Sequence, residues 1–238
     1  MTILVTGSSR GIGFAIAEKL LEEGISVIGT SRSKHSPFKN AQYSHIKCDL
    51  SNDDELDLIR DLISNKCPDV VINNAGIFED ADISSDDSSW LNNWDKTLQV
   101  NLKAPAIICK WAVNTWVKKE CPGRIINVSS RAAYRGDTQE YASYAASKAG
   151  LVAFTKSLAR DLGKNKITAY TIAPGFVHTD MAENSIQIYG KDYLTKGLAL
   201  DNIAPPSQVG ELAYFLSTAD ITHMTGQTFH INSGSYII

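Results

Sequence analysis

The chain has 238 residues, 43% hydrophobic and 21% charged, enough to bury the core of one α/β domain without calling for a second. Its net charge of −3, with basic residues scattered along the sequence, excludes the clustered cationic surface of a nucleic-acid binder. No run of 18 apolar residues is present, and Cys48, Cys67, Cys109 and Cys121 lack C-x-x-C or metal-ligand spacing, so neither a membrane span nor a metal site is expected.

The first apolar run, Ile3-Leu4-Val5, predicts a strand over 2–6, followed by Thr6-Gly7-Ser8-Ser9-Arg10-Gly11-Ile12-Gly13 and a helical period over 12–23. A strand, a glycine-rich turn and a helix in that order form a phosphate site. Glycines let the backbone approach a pyrophosphate, and the N–H groups that open the helix face the anion. With the strand starting at residue 2 or 3, no leader peptide is expected, and a cytoplasmic location follows.

Further strands are expected near 25–30, 44–48, 69–73, 124–129, 167–173 and 226–231, and helices near 53–64, 91–118, 140–162 and 207–217. Buried strands alternating with helices require right-handed crossovers and a parallel sheet covered on both faces. The expected fold is a single α/β domain over 1–238: a doubly wound Rossmann sheet of seven parallel strands, with ligands outside the strands' carboxyl ends. Two polar or irregular stretches interrupt the pattern, 79–93 and 182–206, and the second is expected to form a substrate lid.

The glycine spacing G-x-x-x-G-x-G, Asn73-Asn74-Ala75-Gly76, Asn101, Ser130 with Tyr144-x-x-x-Lys148, and Pro174-Gly175 with Thr179 occur in register along nearly the whole chain. In these motifs the sequence resembles the short-chain dehydrogenase/reductase family, and among its branches it looks most like the 3-oxoacyl-acyl-carrier-protein reductases. The resemblance implies an oxidoreductase using a nicotinamide cofactor. Its catalytic set would be Asn101, Ser130, Tyr144 and Lys148. The cofactor would lie against Gly7, Ser9, Arg10, Gly11, Ile12, Gly13, Ser31, Arg32, Asp49, Leu50, Asn74, Ala75, Gly76, Tyr144, Lys148, Pro174, Gly175, Val177 and Thr179.

Charge argues for the phosphorylated cofactor. Folds that hold the ribose 2′-hydroxyl of NAD place an acid at the end of the second strand, where this chain has Ser31-Arg32. Arg10 and Arg32 would pair with a 2′-phosphate, so NADP(H) is expected. Asp49 matches the acid that contacts adenine in the family and is equally a candidate cap for the following helix.

Tyr144 and Lys148 share a helix face, so the ammonium is expected to lower the phenol's pKa for proton exchange. Tyr141 has Ala145 at the equivalent position and reads as packing. Ser129 and Ser130 both end a buried strand; the resemblance selects Ser130 to hold the substrate oxygen, with Asn101 ordering a water near the lysine. His35, His45, His178, His223 and His230 show no ligand pattern.

These residues imply NADPH-dependent reduction of a ketone to a secondary alcohol, with a 3-ketoacyl thioester or similar carbonyl compound as substrate. The alternatives are an NADP-dependent dehydrogenase of a sugar, polyol or other secondary alcohol, and a non-catalytic NADP sensor. Glu79, Asp80, Asp82, Asp86 and Asp87 would repel an acidic carrier protein, while Lys118, Lys119, Lys164 and Lys166 would attract one from another face. The apolar Tyr236-Ile237-Ile238, with the long helices, suggests a homotetramer.

Overall fold

A computed structural model describes residues 1–179 and 194–237. Among these residues seven strands are present: β1 Thr2–Thr6, β2 Ser26–Ser31, β3 Tyr43–Lys47, β4 Val70–Asn73, β5 Gly123–Val128, β6 Ile167–Pro174 and β7 Thr228–Ile231. They form one sheet in the order β3-β2-β1-β4-β5-β6-β7, with every pairing parallel. The central strands are apolar on both faces because each face is covered. Ile3, Leu4 and Val5 of β1 are fully buried, as are Ile125 and Ile126 of β5.

The α-helices among the described residues are α1 Gly11–Glu22, α2 Asp53–Lys66, α3 Asp87–Leu98, α4 Ala104–Lys118, α5 Ala132–Arg135, α6 Ala142–Leu162 and α7 Pro206–Thr218. One core joins Ile16 and Leu20 of α1 to Val209 and Leu216 of α7 beneath the sheet. The other joins Leu56, Ile59 and Ile63 of α2 to Ile108 and Trp116 of α4. β1 has β2 on one side and β4 on the other, so the winding reverses there, and the crevice opens above Gly7 and Asn74.

The stretch 79–93, read as irregular from sequence, contains the start of α3. Asp86 caps that helix, its Oδ1 accepting the Ser89 N–H at 3.0 Å. The single helix expected near 91–118 is α3 and α4 joined by a π-helical turn, Gln99–Lys103. Pro105 supplies the physical reason: it has no N–H to give the Asn101 carbonyl, which an α-helix would require. α2 is capped by Asn52, whose Oδ1 accepts the Asp54 N–H at 3.0 Å, so Asp49 is not the cap.

Of the expected lid, 182–193 lie outside the described residues; 194–206 are described, from Leu194, buried, past Leu200, 63% exposed, to the start of α7.

Candidate active site

The glycine loop is braced from β4. The Thr6 hydroxyl accepts the Asn74 and Ala75 N–H groups at 3.0 and 3.1 Å, and the Asn74 amide donates to the Thr6 and Gly7 carbonyls at 3.0 and 3.3 Å. Gly7 turns at φ +69°, and a side chain there would begin 2.9 Å from the Ala75 Cα, so only glycine fits. Ser8 turns inward to the Tyr43 hydroxyl at 2.7 Å. α1 then opens from an extended Arg10 with no side-chain cap and no acid in its first turn, which leaves an N-terminus suited to an anion. The Thr179 methyl lies 3.2 Å from where a Gly11 side chain would begin, so the loop after β6 meets the glycine loop. A cavity of about 400 Å³ adjoins this contact, lined also by Phe14, His178 and Ser207.

At the far end of the crevice, Ser31 is buried at the end of β2 and Arg32 is exposed beside it. Burial raises the Asp49 carboxyl, but hydrogen bonds from the Ser51 N–H and hydroxyl at 3.0 and 2.8 Å, with the charges of Arg32 and Lys96, bring it below its ordinary value. Leu50 is buried in the α2–α4 core.

The structure brings Asn101, Ser130, Tyr144 and Lys148 together above β4 and β5. Asn101, fully buried in the π turn, clamps Ile77: its Oδ1 accepts the Ile77 N–H at 2.8 Å, and its Nδ2 donates to the Ile77 carbonyl at 2.9 Å and to Ser147 Oγ at 3.2 Å. The Ser147 hydroxyl in turn donates to the Tyr144 carbonyl at 2.7 Å. A side chain on Gly76 would begin 3.3 Å from both Asn101 Oδ1 and Lys148 Nζ and wedge them apart.

The two serines have separate work. Ser129 donates its hydroxyl to the Lys148 carbonyl at 2.9 Å and ties β5 to α6. The Ser130 hydroxyl accepts the Ala132 N–H at 3.1 Å and bonds the Tyr144 phenol.

The expected effect of Lys148 on the phenol is not what the structure shows. Burial pushes the Tyr144 phenol up to about 12; the Ser130 hydrogen bond opposes that rise and the Asp137 charge adds to it. Burial also pushes the Lys148 ammonium down to about 8, and its Nζ donates to the Val128 carbonyl at 2.9 Å. Both groups are desolvated by the same cleft, so each favours its neutral form.

Phe78, which the sequence did not single out, stacks on Tyr141 with centroids 3.9 Å apart and meets the Tyr144 ring edge-on at 4.8 Å. Tyr141 therefore packs, as its missing lysine partner suggested. The acidic loop reaches this wall: the Ala81 N–H donates to the Glu140 carbonyl at 2.7 Å and the Ile83 N–H to Gln139 Oε1 at 2.9 Å.

Beyond β6, the Gly175 N–H donates to the Ile231 carbonyl at 2.7 Å and the His178 N–H to the Ala204 carbonyl at 3.0 Å, while Thr179 Oγ1 donates to the Val177 carbonyl at 3.2 Å. Arg131 was also missed, since an arginine in a sequence reads as surface charge. It is only 8% exposed, its N–H donating to the Pro174 carbonyl at 2.8 Å.

Among the described residues no group of three His, Cys, Asp or Glu side chains is arranged to hold a metal, and no helix is long and apolar enough to cross a membrane. The four cysteines are free; Cys67 and Cys121, far apart in sequence, bring their sulfurs to 3.7 Å.

The protein family described as enoyl-(acyl carrier protein) reductase matches residues 7–235. The chain is similar to the 3-oxoacyl-acyl-carrier-protein reductase of Vibrio harveyi, 32% identical over 99% of this chain and 97% of the relative. The same enzyme of Rickettsia prowazekii is 34% identical over 100% and 97%. Among solved structures, a 4-hydroxyisoleucine dehydrogenase mutant complexed with NADH and succinate superposes with a TM-score of 0.89 at 26% identity, covering 99% of this chain and 98% of that one. The aldohexose dehydrogenase of Thermoplasma acidophilum superposes with a TM-score of 0.86 at 28% identity, covering 98% and 93%.

Proposed function

The chain belongs to the short-chain dehydrogenase/reductase family, oxidoreductases that act on CH–OH and C=O groups with a nicotinamide cofactor, and from that premise we propose NADPH-dependent reduction of a ketone to a secondary alcohol. A 3-ketoacyl thioester or similar carbonyl compound is the leading substrate, as the names of the curated relatives suggest. The observation that carries this reading is the buried Tyr144 phenol beside Ser130 with the Lys148 ammonium 5.8 Å from its ring, a group that can give its proton to a carbonyl oxygen.

The residues present fit the cofactor. The uncapped start of α1 suits a pyrophosphate, with Gly7, Ser9, Arg10, Gly11, Ile12 and Gly13 around it. Ser31 would take the adenosine ribose with Arg32 and Arg10 on its 2′-phosphate, Asp49 and Leu50 the adenine, and Asn74, Ala75, Gly76, Tyr144 and Lys148 the nicotinamide ribose. Pro174, Gly175, Val177 and Thr179 would hold the carboxamide. When bound, the cofactor supplies or takes the hydride.

The chain's own groups do the rest. Ser130 holds the carbonyl oxygen and Tyr144 gives it a proton. Lys148, still mostly protonated below about 8, stabilises the phenolate left behind. Asn101 fixes the Ile77 backbone and the start of α6 and, as in the family, would order a water near Lys148.

A second reading, dehydrogenation of a sugar, polyol or other secondary alcohol, draws support from the acidic loop packed against Gln139 and Glu140, which opposes an acidic carrier. It also agrees with the hydroxy compounds after which the two structural relatives are named.

Following NADPH absorbance with acetoacetyl thioesters, cyclic ketones and sugars separates the two. Tyr144→Phe tests the site: turnover should fall by about 100-fold or more while cofactor affinity, read by fluorescence titration, is kept. A variant keeping most of its kcat would place the proton donor elsewhere.

A further inference from the structure

The dipeptide Cys-Pro occurs as Cys67-Pro68 and again as Cys121-Pro122, each time between the end of a helix and the entry to a strand. The proposed reduction uses neither cysteine. Both stand at the amino edge of the sheet, opposite the carboxyl edge that carries Ser130.

Sheet register brings the two together. β4 and β5 are parallel neighbours with Val70 opposite Arg124, and the pairing continues through the Arg124 N–H, which donates to the Asp69 carbonyl at 3.1 Å. Cys67 and Cys121 precede Val70 and Arg124 by the same number of residues, so the register sets them side by side. Neighbouring strands run about 4.8 Å apart, within the roughly 4.4–6.8 Å that separates the Cα atoms of a disulfide.

The turns that present the thiols are fixed by their own bonds. Cys67 ends α2 at φ +48°, its N–H donating to the Ile63 carbonyl at 2.9 Å. Glu120 turns at φ +54°, and the Cys121 N–H donates to the Trp116 carbonyl at 3.1 Å. Left-handed backbone favours glycine, so the cysteine at 67 is held there against its own preference. Two side chains of α4 and its end then clamp one turn to the other: Trp116 Nε1 donates to the Pro68 carbonyl at 2.7 Å and Lys119 Nζ to the Ser64 carbonyl at 3.1 Å. The sulfurs meet at 3.7 Å with both cysteines partly exposed, whereas Cys48 and Cys109 are buried.

We propose that Cys67 and Cys121 form a redox site, a dithiol that a low-molecular-weight disulfide converts to an intramolecular disulfide stapling the entries to β4 and β5. One protein thiolate attacks a sulfur of the oxidant, forming a mixed disulfide and expelling one thiol; the second protein thiolate displaces the other half. The protein pair loses two electrons and two protons, and the oxidant leaves as two thiols. The bridge encloses β4, α3 and α4 in one covalent loop, and closing a long loop restricts the unfolded chain, so the oxidised protein is the more stable form.

The test treats the full-length protein with oxidised glutathione or with dithiothreitol, then alkylates, digests and maps both samples. The oxidised sample should yield a peptide linking Cys67 to Cys121, keep Cys48 and Cys109 as thiols, and run as a single chain on a non-reducing denaturing gel; dithiothreitol should return it to four thiols. Its thermal midpoint should exceed that of the reduced protein by about 5 °C or more. Cys121→Ser and Cys67→Gly, the latter suited to the left-handed turn, should show no such gain under the same treatment. Glutathione adducts without a bridge, a disulfide between two chains, or a bridge that leaves the midpoint unchanged or lower overturns the proposal.

Discussion

Lys148 lies one helical turn beyond Tyr144, with its Nζ 5.8 Å from the phenol ring centroid, yet it donates to the Val128 carbonyl at 2.9 Å. The ammonium is held at the end of β5, beside the phenol and short of a bond to it. Ser130 is the side chain that bonds the phenol. In the proposed reduction the lysine is a poised charge that acts once the phenol ionises.

Holding that charge costs stability. Burial lowers the Lys148 pKa from 10.5 to about 8, and each unit corresponds to about 1.4 kcal/mol, so keeping it charged at pH 7 costs on the order of 3 kcal/mol. Between about 8 and 10.5 the unfolded chain keeps the proton that the folded one has lost, so this contribution to stability rises with pH across that window. Lys148→Met should therefore raise the thermal midpoint at pH 7 by several degrees and lose that advantage toward pH 10, while abolishing turnover. Calorimetric scans at both pH values check this; a midpoint lowered at pH 7 contradicts it.

Ser129→Ala and Ser130→Ala should fail in different ways. The first removes a buried donor from the Lys148 carbonyl and should cost about 1–3 kcal/mol in denaturant titration with a smaller effect on kcat. The second removes the acceptor of the Ala132 N–H, so it should cost a comparable amount, about 1–3 kcal/mol, but it should also reduce kcat by about 100-fold or more, because it removes the hydroxyl that bonds the phenol. Equal losses of kcat in the two variants would show that the strand end does not divide the roles.

Arg32→Asp should reverse the cofactor preference. A charge-assisted hydrogen bond is worth about 1.5–3 kcal/mol, so replacing the cation with an anion should lower kcat/KM for NADPH by at least about tenfold and raise that for NADH. Asp49, whose carboxyl feels the Arg32 charge, should move toward its ordinary pKa in the same variant. Equal kcat/KM for the two cofactors in the wild type would remove the basis for this expectation.

Assembly is checked by light scattering. Ile237 is 84% exposed, and Phe215 and Val117 are each 45% exposed, apolar surface that a homotetramer with two-fold axes would cover. A mass of four chains at micromolar concentration is expected. A monomer would leave that surface unexplained.

The sequence by itself determined the parallel α/β sheet and the residues that its loops bring to the candidate site. Those signals are local: Ile3-Leu4-Val5 is apolar whatever surrounds it, Gly7 is required by its own φ of +69°, and Tyr144 and Lys148 share a face by helical spacing alone. The start of α3 was legible too, in Asp86 three residues before Ser89, but its largely polar sequence concealed the helical period. Tertiary structure alone decided the assignments that depend on distant partners. Ser129 and Ser130 are alike in their local sequence, where only the family resemblance favoured Ser130; their surroundings differ because the Lys148 carbonyl of α6 packs over one and the Tyr144 phenol lies against the other. Packing likewise gave Lys148 the Val128 carbonyl, set Phe78 against Tyr141 and buried Arg131 under the loop after β6. A side chain's hydrogen-bond partner and its desolvation are properties of the folded neighbourhood, and neither is carried by the residue's own identity or spacing.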